Sequence, residues 1–282
     1  KSSRIKYFAP NGRVVERLKL YGVKDKNIEL TGFPLPKEAI GGLDATIASE
    51  DLKRRMCNLD PRGIFLGRAE KMMRAYLGPQ FCPAVRAKRQ SAVHISFAVG
   101  GAGAQQELAV TAVTSLKAEI KRGKITMTLI AGTRLEVAQY FRDALKNLGL
   151  GSMIDNGVDI LIEDDRPKYF NAFARLMRKT DVLWTKPSEL SFYTGLGIPI
   201  IMAPTVGSQE DFNRHWLQQV GGGVDQLNPR YANERLFDWI NSGALARMAW
   251  QGFIEAPTHG AYRIEDILFG RPNTIHTLPL VV

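Results

Sequence analysis

From residue 91 onward, short β-branched runs alternate with longer segments in which an apolar residue recurs every three or four positions. Side chains repeat with a period of two in strands and 3.6 in helices, so this alternation predicts successive strand–helix units. Such units form a parallel sheet with helices on both faces, because each parallel connection needs a crossover. The sequence therefore predicts a doubly wound, Rossmann-like α/β domain. The five predicted strands are AVHISFAV, KITMTLIAG, VDILIED, TDVLWT and IPIIMAP.

The chain divides into three predicted parts. Residues 1–36 are expected to be a remnant of an N-terminal lobe, because one strand–helix–strand unit cannot enclose a core of its own. Residues 37–90 are expected to be a basic helical linker or insert, and residues 91–282 the C-terminal domain. Within the insert, residues 65–77 predict an amphipathic helix, which either lies on a membrane or, more commonly, packs on its own domain.

The net charge of +10 lies entirely in residues 1–92, since basic and acidic residues are equally numerous in the rest of the chain. This distribution is not that of a nucleic-acid-binding domain, and no nucleic-acid partner is predicted. It favours an anionic partner or a peripheral membrane contact through residues 1–92, or it is only a solvated face. No apolar run approaches the roughly 18 residues of a membrane span. The expected location is the cytoplasm, with peripheral contact at the inner membrane face.

The two cysteines, Cys57 and Cys82, have no CxxC or Cys/His spacing around them. Neither a zinc site nor a disulfide framework is therefore predicted, and both are expected to be free thiols.

Ligands of doubly wound sheets bind outside the carboxyl ends of the strands, and residues 100–105 follow such an end. This Gly-Gly-Ala-Gly-Ala-Gln loop opens a helix, so its backbone N–H groups and the helix dipole favour a phosphate. A dinucleotide fold is disfavoured, because Gln106 replaces the third glycine of the GxGxxG pattern and the next strand ends without a ribose-binding acid. A tight turn without a ligand is the alternative.

Two further strand ends carry polar residues. In TKPSEL, Lys186 and the first-turn residues Ser188 and Glu189 either meet phosphate and sugar hydroxyls, or Glu189 only complements the helix dipole. In SQEDFN, residues 208–213, a Ser208–Asp211 capping box would leave Gln209 and Asn213 unexplained. Amides and carboxylates donate and accept hydrogen bonds in pairs, as hexose hydroxyls require. The pattern favours a sugar ligand.

Three segments resemble the metal-independent GT-B glycosyltransferases, typified by the lipid II-forming N-acetylglucosaminyltransferase and monogalactosyldiacylglycerol synthase. They are YFAPNGRVVERLKLYGVKDKNIELTGFPLP, FAVGGAGAQ and TKPSEL…GLGIPIIMAPTVGSQEDFN. The resemblance, over residues 5–34 and 93–222, implies a GT-B C-terminal donor lobe with a remnant of the acceptor lobe. It implies transfer of a hexosyl group from a nucleoside diphosphate sugar, expected to be a UDP-sugar, to an acceptor hydroxyl. Inversion is expected, without a metal or another cofactor.

The same resemblance implies roles for individual residues. The glycine loop borders the diphosphate with Lys186 beside it, the SQEDFN cluster faces the sugar, and the backbone at the end of VDILIED edges the base. The ribose-binding Glu of the family is replaced by Phe192, and Glu189, one turn earlier, is the expected substitute. The expected donor-binding residues are Gly100, Gly101, Ala102, Gly103, Gln105, Ile162, Glu163, Lys186, Ser188, Glu189, Gln209, Glu210 and Asn213.

The general base is expected in the N-terminal lobe, so this chain alone is expected to bind donor without turning it over. The resemblance implies a lipid-linked or other anionic acceptor and a place in cell-envelope or glycolipid synthesis. Two alternatives stay open. A GT-B-fold nucleotide-sugar 2-epimerase or hydrolase uses the same donor pocket, and the replacement of the ribose Glu permits a non-catalytic nucleotide-sugar-binding protein.

Overall fold

The structure is a computed structural model, and it describes residues 4–78, 91–98 and 105–272. Near the N-terminal end, strands β1 (Tyr7–Ala9) and β2 (Ile28–Leu30) pair in parallel, and helix α1 (Gly12–Leu20) lies between them in the chain. Asn11 caps this helix by accepting a hydrogen bond from the Val14 amide at 3.0 Å. No residue of α1 is fully buried, as expected of a unit too small to form a core.

Three helices follow, α2 (Lys37–Ile40), α3 (Thr46–Leu59) and α4 (Ile64–Leu77). Helix α4 confirms the amphipathic helix predicted at residues 65–77, and it packs on the domain, although its apolar side chains Met72 and Tyr76 are exposed. Within the described ranges, no helix has both the length and the apolar character that crossing a bilayer requires. The side chains that α3 and α4 add to the main core are Leu52, Met56, Leu59, Leu66, Met73 and Leu77.

A sheet of six parallel strands forms the centre of the molecule. Its strands are β3 (Val93–Ala98), β4 (Ile125–Gly132), β5 (Val158–Ile162), β6 (Val182–Thr185), β7 (Ile200–Met202) and β8 (Gly223–Asp225). They lie in the order β5-β4-β3-β6-β7-β8, so the chain adds two strands on one side of β3 and then three on the other. All five predicted strands are present, and the predicted doubly wound, Rossmann-like domain is confirmed. The reversal between β3 and β6 is the topological switch point of the sheet.

Helices cover both faces of this sheet. They are α5 (Gln106–Lys121), α6 (Leu135–Asn147), α7 (Arg166–Lys179), α8 (Ser208–Gln219), α9 (Ala232–Asn241), α10 (Ala244–Glu255) and α11 (Gly260–Leu268). One apolar cluster includes α5, α6, α9 and α10, and a second includes α7 and α8. The segment after TKPSEL, in which Ser188 and Glu189 were predicted to form the first turn of a helix, is instead a 3₁₀ segment, Glu189–Leu196, which Gly197 ends in a left-handed conformation. Its tighter winding matches the shortness of this crossover.

Arg55 of α3 joins the helical insert to the sheet domain. The side chain is fully buried, and its Nε donates to the Thr180 carbonyl at 2.7 Å. Its Nη1 donates to the carbonyls of Leu196 and Gly197, both at 3.0 Å. A guanidinium presents five N–H groups in a fixed plane, so a single side chain satisfies carbonyls from two segments. Arg55 thereby fixes the end of the 3₁₀ segment.

The crossing from the N-terminal unit to the sheet domain is paired with the last part of the described chain. The Phe33 amide donates to the Pro257 carbonyl at 2.9 Å, and the Gly260 amide donates to the Phe33 carbonyl at 3.0 Å. Gly32 beside it has φ +88°, a conformation that favours glycine. We call residues 32–34 with 257–260 the paired crossing.

The prediction of free thiols is wrong for Cys57, which is disulfide-bonded. Cys82 lies outside the described residues. Spacing along the chain carried no signal for this bond, because a disulfide depends on the approach of two Cα atoms in the fold.

Candidate functional site

The carboxyl ends of three neighbouring strands meet at the switch point. Ala98 of β3 is in register with Thr185 of β6, which is in register with Met202 of β7. Adjacent strands lie about 4.8 Å apart, so these three carboxyl ends lie side by side. The Gln105 side chain, at the end of the loop after β3, donates to the Pro204 carbonyl after β7 at 2.8 Å. The carboxyl ends of β3, β6 and β7 are therefore adjacent, and Gln105 bonds the segment that follows β7.

Gln105 holds an uncommon backbone conformation where the glycine loop enters α5. Its φ of +69° is left-handed, a region that costs residues other than glycine about 1–3 kcal/mol. Its bond to Pro204 helps to fix that conformation. The predicted phosphate-binding positions of the loop lie outside the described residues, and their role stays a prediction. They are Gly100, Gly101, Ala102 and Gly103.

Lys186, immediately after β6, forms an ion pair with Glu210 of α8. The Lys186 side chain is 19% exposed and that of Glu210 only 3%. The other Glu210 oxygen accepts a hydrogen bond from the Val206 amide at 2.8 Å. Burial by itself raises the pKa of Glu210, but the hydrogen bonds from Lys186, Val206 and Gly207 outweigh it and hold this pKa below its ordinary value. The carboxylate is thus charged and fixes the ammonium at the strand ends.

Each Glu210 oxygen accepts from a protein donor, so Glu210 positions Lys186. Its predicted contact with a sugar stays a prediction. An ammonium carries three N–H donors, so the bond to Glu210 leaves others for a ligand.

The start of α8 also differs from the expected Ser208–Asp211 capping box. The helix begins at Ser208, so Gly207 is the N-cap and has no side chain to offer. Asp211 instead accepts from the Thr205 hydroxyl at 2.7 Å. Glu210 occupies the third helical position and makes the reach-back half of a capping box. Because α8 begins one residue earlier than the predicted capping box requires, Glu210 rather than Asp211 occupies its third position.

Gln209 and Asn213 line a cleft of about 210 Å³ between α1 and α8. They are four residues apart, and Trp216 follows three positions later, so all three share one face of α8. Arg13 and Arg17 of α1 line the opposite side. We call this space the α1–α8 cleft. The amides predicted to face a sugar are therefore exposed to a cavity that both parts of the molecule form.

Phe192 contributes to the wall of this cleft. It stacks on Phe33 with ring centroids 3.9 Å apart and an interplanar angle of 17°. Glu189, the expected substitute for the ribose-binding Glu, is exposed at the start of the 3₁₀ segment beside half-buried Ser188. Burial, and then the charge of Glu189, raises the pKa of Tyr169. Glu189 therefore lies near α7, and its role toward a ribose stays a prediction.

Ile162 and Glu163, predicted to edge a base, lie at the end of β5. The Glu163 amide donates to the Gly132 carbonyl of neighbouring β4 at 3.0 Å. β5 is two strands from β3, or roughly 10 Å. These residues therefore share the carboxyl edge with the switch point but lie to one side of it.

Sequence reasoning did not select four side chains of the cleft: Arg13, Arg17, Phe33 and Trp216. A signal existed for three of the four, because Arg13 and Arg17 are four residues apart on α1, and Trp216 continues the helical face of Asn213. Nothing in the sequence placed α1 against α8.

A larger groove of about 1040 Å³ lies at the opposite, amino edge of the sheet. Two ion pairs join charged groups of this groove, Arg54 with Asp181 at 2.7 Å and Arg178 with Asp51 at 3.0 Å. The helix end that lines it is the carboxyl end of α7, where the dipole disfavours an anion. We therefore do not assign the phosphate-binding site to this groove, although it is larger than the α1–α8 cleft.

His94 in this groove gives a prediction about pH. Its ring nitrogens are 2.8 Å from the Thr126 hydroxyl and 3.1 Å from that of Thr128, and burial lowers its pKa from the ordinary value of 6.5. As the pH falls below 6.5, His94 takes up a proton in the unfolded chain but stays neutral in the folded chain. The free energy of unfolding should therefore fall as the pH falls from 6.5 toward the lower pKa of the folded state. In urea unfolding at pH 7.5 and 5.5, His94→Gln should lose less stability than the unmodified chain. An equal loss would contradict this reading; His259, whose pKa burial also lowers, retains its own share.

Comparison with known proteins gives one family match. Residues 147–263, less than half of the chain, match a family described as Domain of unknown function (DUF6938). No curated protein matches the chain.

Several solved structures share the fold at 13% sequence identity. WaaG, a glycosyltransferase involved in lipopolysaccharide biosynthesis, has a TM-score of 0.50 over 96% of this chain and 64% of its own. UDP-GlcNAc 2-epimerase from Neisseria meningitidis, bound to UDP-GlcNAc, has 0.50 over 94% and 61%. S. aureus MnaA in complex with UDP has 0.51 over 95% and 61%. This chain spans less than two thirds of each of them, and within that span it has the Rossmann-like fold of the GT-B glycosyltransferases and nucleotide-sugar epimerases.

Proposed function

We propose that this chain carries the donor half of a GT-B glycosyltransferase that moves a hexosyl group from a nucleoside diphosphate sugar, expected to be a UDP-sugar, to an acceptor hydroxyl. The observation that carries the proposal is the meeting of three strand ends at the switch point, with Lys186 held there by Glu210. A switch point is where doubly wound sheets bind nucleotides. The similar structures bound to UDP-GlcNAc and to UDP support the choice of donor.

In the proposed reaction, the bond between the anomeric carbon and the diphosphate oxygen breaks, and the acceptor oxygen bonds to the anomeric carbon. Inversion follows if the acceptor attacks from the face opposite to the diphosphate. Negative charge develops on the leaving diphosphate, which the Lys186 ammonium and the N–H groups at the start of α5 would stabilise. The proton of the acceptor hydroxyl goes to a base that we expect in the N-terminal lobe. Residues 1–36 hold only a remnant of that lobe in this proposal.

The remaining donor contacts follow from the positions of the strand ends. Gln209 and Asn213 bind the hexosyl group from the α1–α8 cleft, where their amides can donate and accept. The base lies over the end of β5 at Ile162 and Glu163, with Glu189 at the ribose. The roughly 10 Å from β3 to β5 leaves room for a ribose between the diphosphate and the base.

A GT-B-fold nucleotide-sugar 2-epimerase or hydrolase is the second candidate, favoured by the likeness to the N. meningitidis enzyme. It needs the same donor site. The replacement of the ribose Glu by Phe192 keeps a non-catalytic binding protein as a third candidate. Product analysis on a protein that includes the whole N-terminal lobe separates transfer, epimerisation and hydrolysis, because each gives a different sugar product from one UDP-sugar.

The acceptor and the location of the protein are proposed from the charge of the N-terminal part. A lipid-linked or other anionic acceptor, peripheral membrane contact through residues 1–92 and a role in cell-envelope or glycolipid synthesis all agree with the basic charge of that part.

The test of donor binding is calorimetric titration with UDP-GlcNAc. Lys186→Gln should weaken binding by about 10- to 100-fold, because a hydrogen bond to a charged group contributes about 1.5–3 kcal/mol. Glutamine still donates to Glu210, so the buried carboxylate keeps a partner.

The matched control is Lys179→Gln, which removes the same charge from the amino edge of the sheet and should leave the affinity unchanged. No heat of binding from the unmodified chain, with UDP-GlcNAc or UDP, would reject the donor proposal. An equal loss in both lysine variants would show that net charge, rather than the switch point, governs binding.

A further inference from the structure

Helix α3 of the insert holds both ends of residues 180–197, the stretch that contains β6 and the 3₁₀ segment. At the start of this stretch, the Arg55 Nε donates to the Thr180 carbonyl at 2.7 Å. Arg54, the preceding residue of α3, pairs with Asp181 at 2.7 Å. At the other end, the Arg55 Nη1 donates to the Gly197 carbonyl at 3.0 Å. Because a guanidinium is planar and rigid, one buried side chain fixes the separation of the two ends.

The donor residues that follow β6 lie inside this stretch, and backbone hydrogen bonds connect them to Arg55. The Ser188 amide donates to the Lys186 carbonyl at 2.7 Å, and the Ser191 amide donates to the Ser188 carbonyl at 3.0 Å. The Gly197 amide bonds back into the last turn of the 3₁₀ segment at 2.8 Å. The hydrogen-bonded backbone therefore runs from Lys186, through the 3₁₀ segment, to the carbonyl that Arg55 holds.

Close packing leaves the 3₁₀ segment little room for movement between these ends. Four of its eight residues are buried. A Cβ on Gly195 would stand 2.5 Å from the methyl carbon of Thr258, and a Cβ on Gly197 would stand 2.5 Å from Cδ1 of Leu52 in α3. At a rise of about 2.0 Å per residue, the segment is roughly 16 Å long. It is thus a short, tightly packed connection between α3 and the strand end that carries Lys186.

We propose that Arg55 is a positioning residue of the donor site, which sets the place of the Lys186 ammonium through the 3₁₀ segment. Arg55 would touch no part of the donor. Its helix lies outside residues 5–34 and 93–222, over which the sequence resembles the GT-B glycosyltransferases, so this role would belong to the insert of this chain. The inference rests on the proposed function, because it gives Lys186 its importance.

A double-mutant cycle with UDP-GlcNAc tests whether Arg55 acts through Lys186. In calorimetric titration, Arg55→Lys should weaken binding by about 3- to 10-fold, less than the loss of Lys186 itself, because the ammonium is displaced rather than removed. Arg55→Lys combined with Lys186→Gln should bind as tightly as Lys186→Gln alone. Unchanged affinity in Arg55→Lys, or losses that add in the double variant, would overturn the proposal.

Met73→Ala separates positioning from a loss of stability. Met73 of α4 is fully buried in the same insert, so its truncation also lowers the stability of the chain. While nearly all of the chain is folded, a lower stability leaves the affinity unchanged, because the apparent affinity falls only with the folded fraction. We expect Met73→Ala to keep its affinity for UDP-GlcNAc within about twofold. An equal loss in Met73→Ala and Arg55→Lys would refute the role of Arg55.

The unmodified chain gives a second test, which does not depend on the folding of a variant. Coupling between two sites is reciprocal, so bound UDP should stabilise the hydrogen bonds of Arg55. In ¹H–¹⁵N correlation spectra, UDP should slow hydrogen exchange of the Arg55 Nε–H at least about threefold more than that of the Met73 amide, which reports stabilisation of the whole chain. Equal slowing at both positions would contradict the coupling.

The two proposals fail separately. A chain that binds neither UDP-GlcNAc nor UDP contradicts the donor proposal. A chain that binds both ligands, with an affinity that Arg55→Lys does not change, keeps its donor site and loses only the positioning role of Arg55.

Discussion

Replacing Arg55 with methionine should lower the free energy of unfolding by about 3–5 kcal/mol, among the largest effects of a single substitution. The change leaves the buried carbonyls of Thr180, Leu196 and Gly197 without their donor, and each unsatisfied group costs about 1–3 kcal/mol. Relief from burying a charge offsets part of that cost. Burial lowers the pKa of Arg55 to about 10, so the guanidinium is still charged at neutral pH. Urea unfolding measures the loss.

Arg68→Met is the matched control, because Arg68 is exposed on α4 and should tolerate the same change. Arg55→Lys keeps the charge but cannot span two segments, and we expect it to recover only a small part of the stability. If Arg55→Met lowered the free energy of unfolding no more than Arg68→Met, water or other donors would satisfy the three carbonyls. The bridging role of Arg55 would then be wrong.

Gly260→Ala should destabilise the paired crossing by about 2–3 kcal/mol. A Cβ at this position would stand 2.5 Å from the carbonyl carbon of Phe33 and closer still to the oxygen of Gly32. Both are backbone atoms, so no side-chain rotation relieves the clash. We expect a lower midpoint of thermal unfolding and a shift of the Trp216 indole signal, because Phe33 contacts that ring.

Gly67→Ala is a control of opposite sign. Gly67 lies within α4, and a Cβ there meets no atom within 4 Å. Alanine in a helix interior stabilises by about 0.5–1 kcal/mol relative to glycine. If Gly260→Ala also stabilised the protein, the backbone at residues 32–33 could move away from the new Cβ without loss of stability, contrary to the packing described above.

The sequence predicts most of the sheet, since buried parallel strands are near-continuous apolar runs between helical repeats. β8 carries only Gly-Val-Asp, which has no such pattern, and so it was missed. The 3₁₀ segment was predicted as an α-helix, because a short apolar run does not reveal how tightly the chain winds. The disulfide of Cys57 was missed because it depends on how closely two Cα atoms approach in the fold, which residue spacing does not show.

The candidate site was predictable where its residues follow strand ends. Lys186, Gln209 and Asn213 come directly after apolar runs, and the rule for carboxyl ends brings them together. The pairing of Glu210 with Lys186 was not predictable, because it depends on a helix start shifted by one residue. The arginines of α1 were missed since their meaning arises only from the approach of two separate parts of the chain.

Phe33 belongs both to the paired crossing and to the wall of the α1–α8 cleft. Its backbone bonds Pro257 and Gly260, while its ring rests on Phe192. Any rotation of the N-terminal unit about the crossing must therefore slide one ring across the other. Phe33 therefore couples movement of the N-terminal unit to the shape of the α1–α8 cleft.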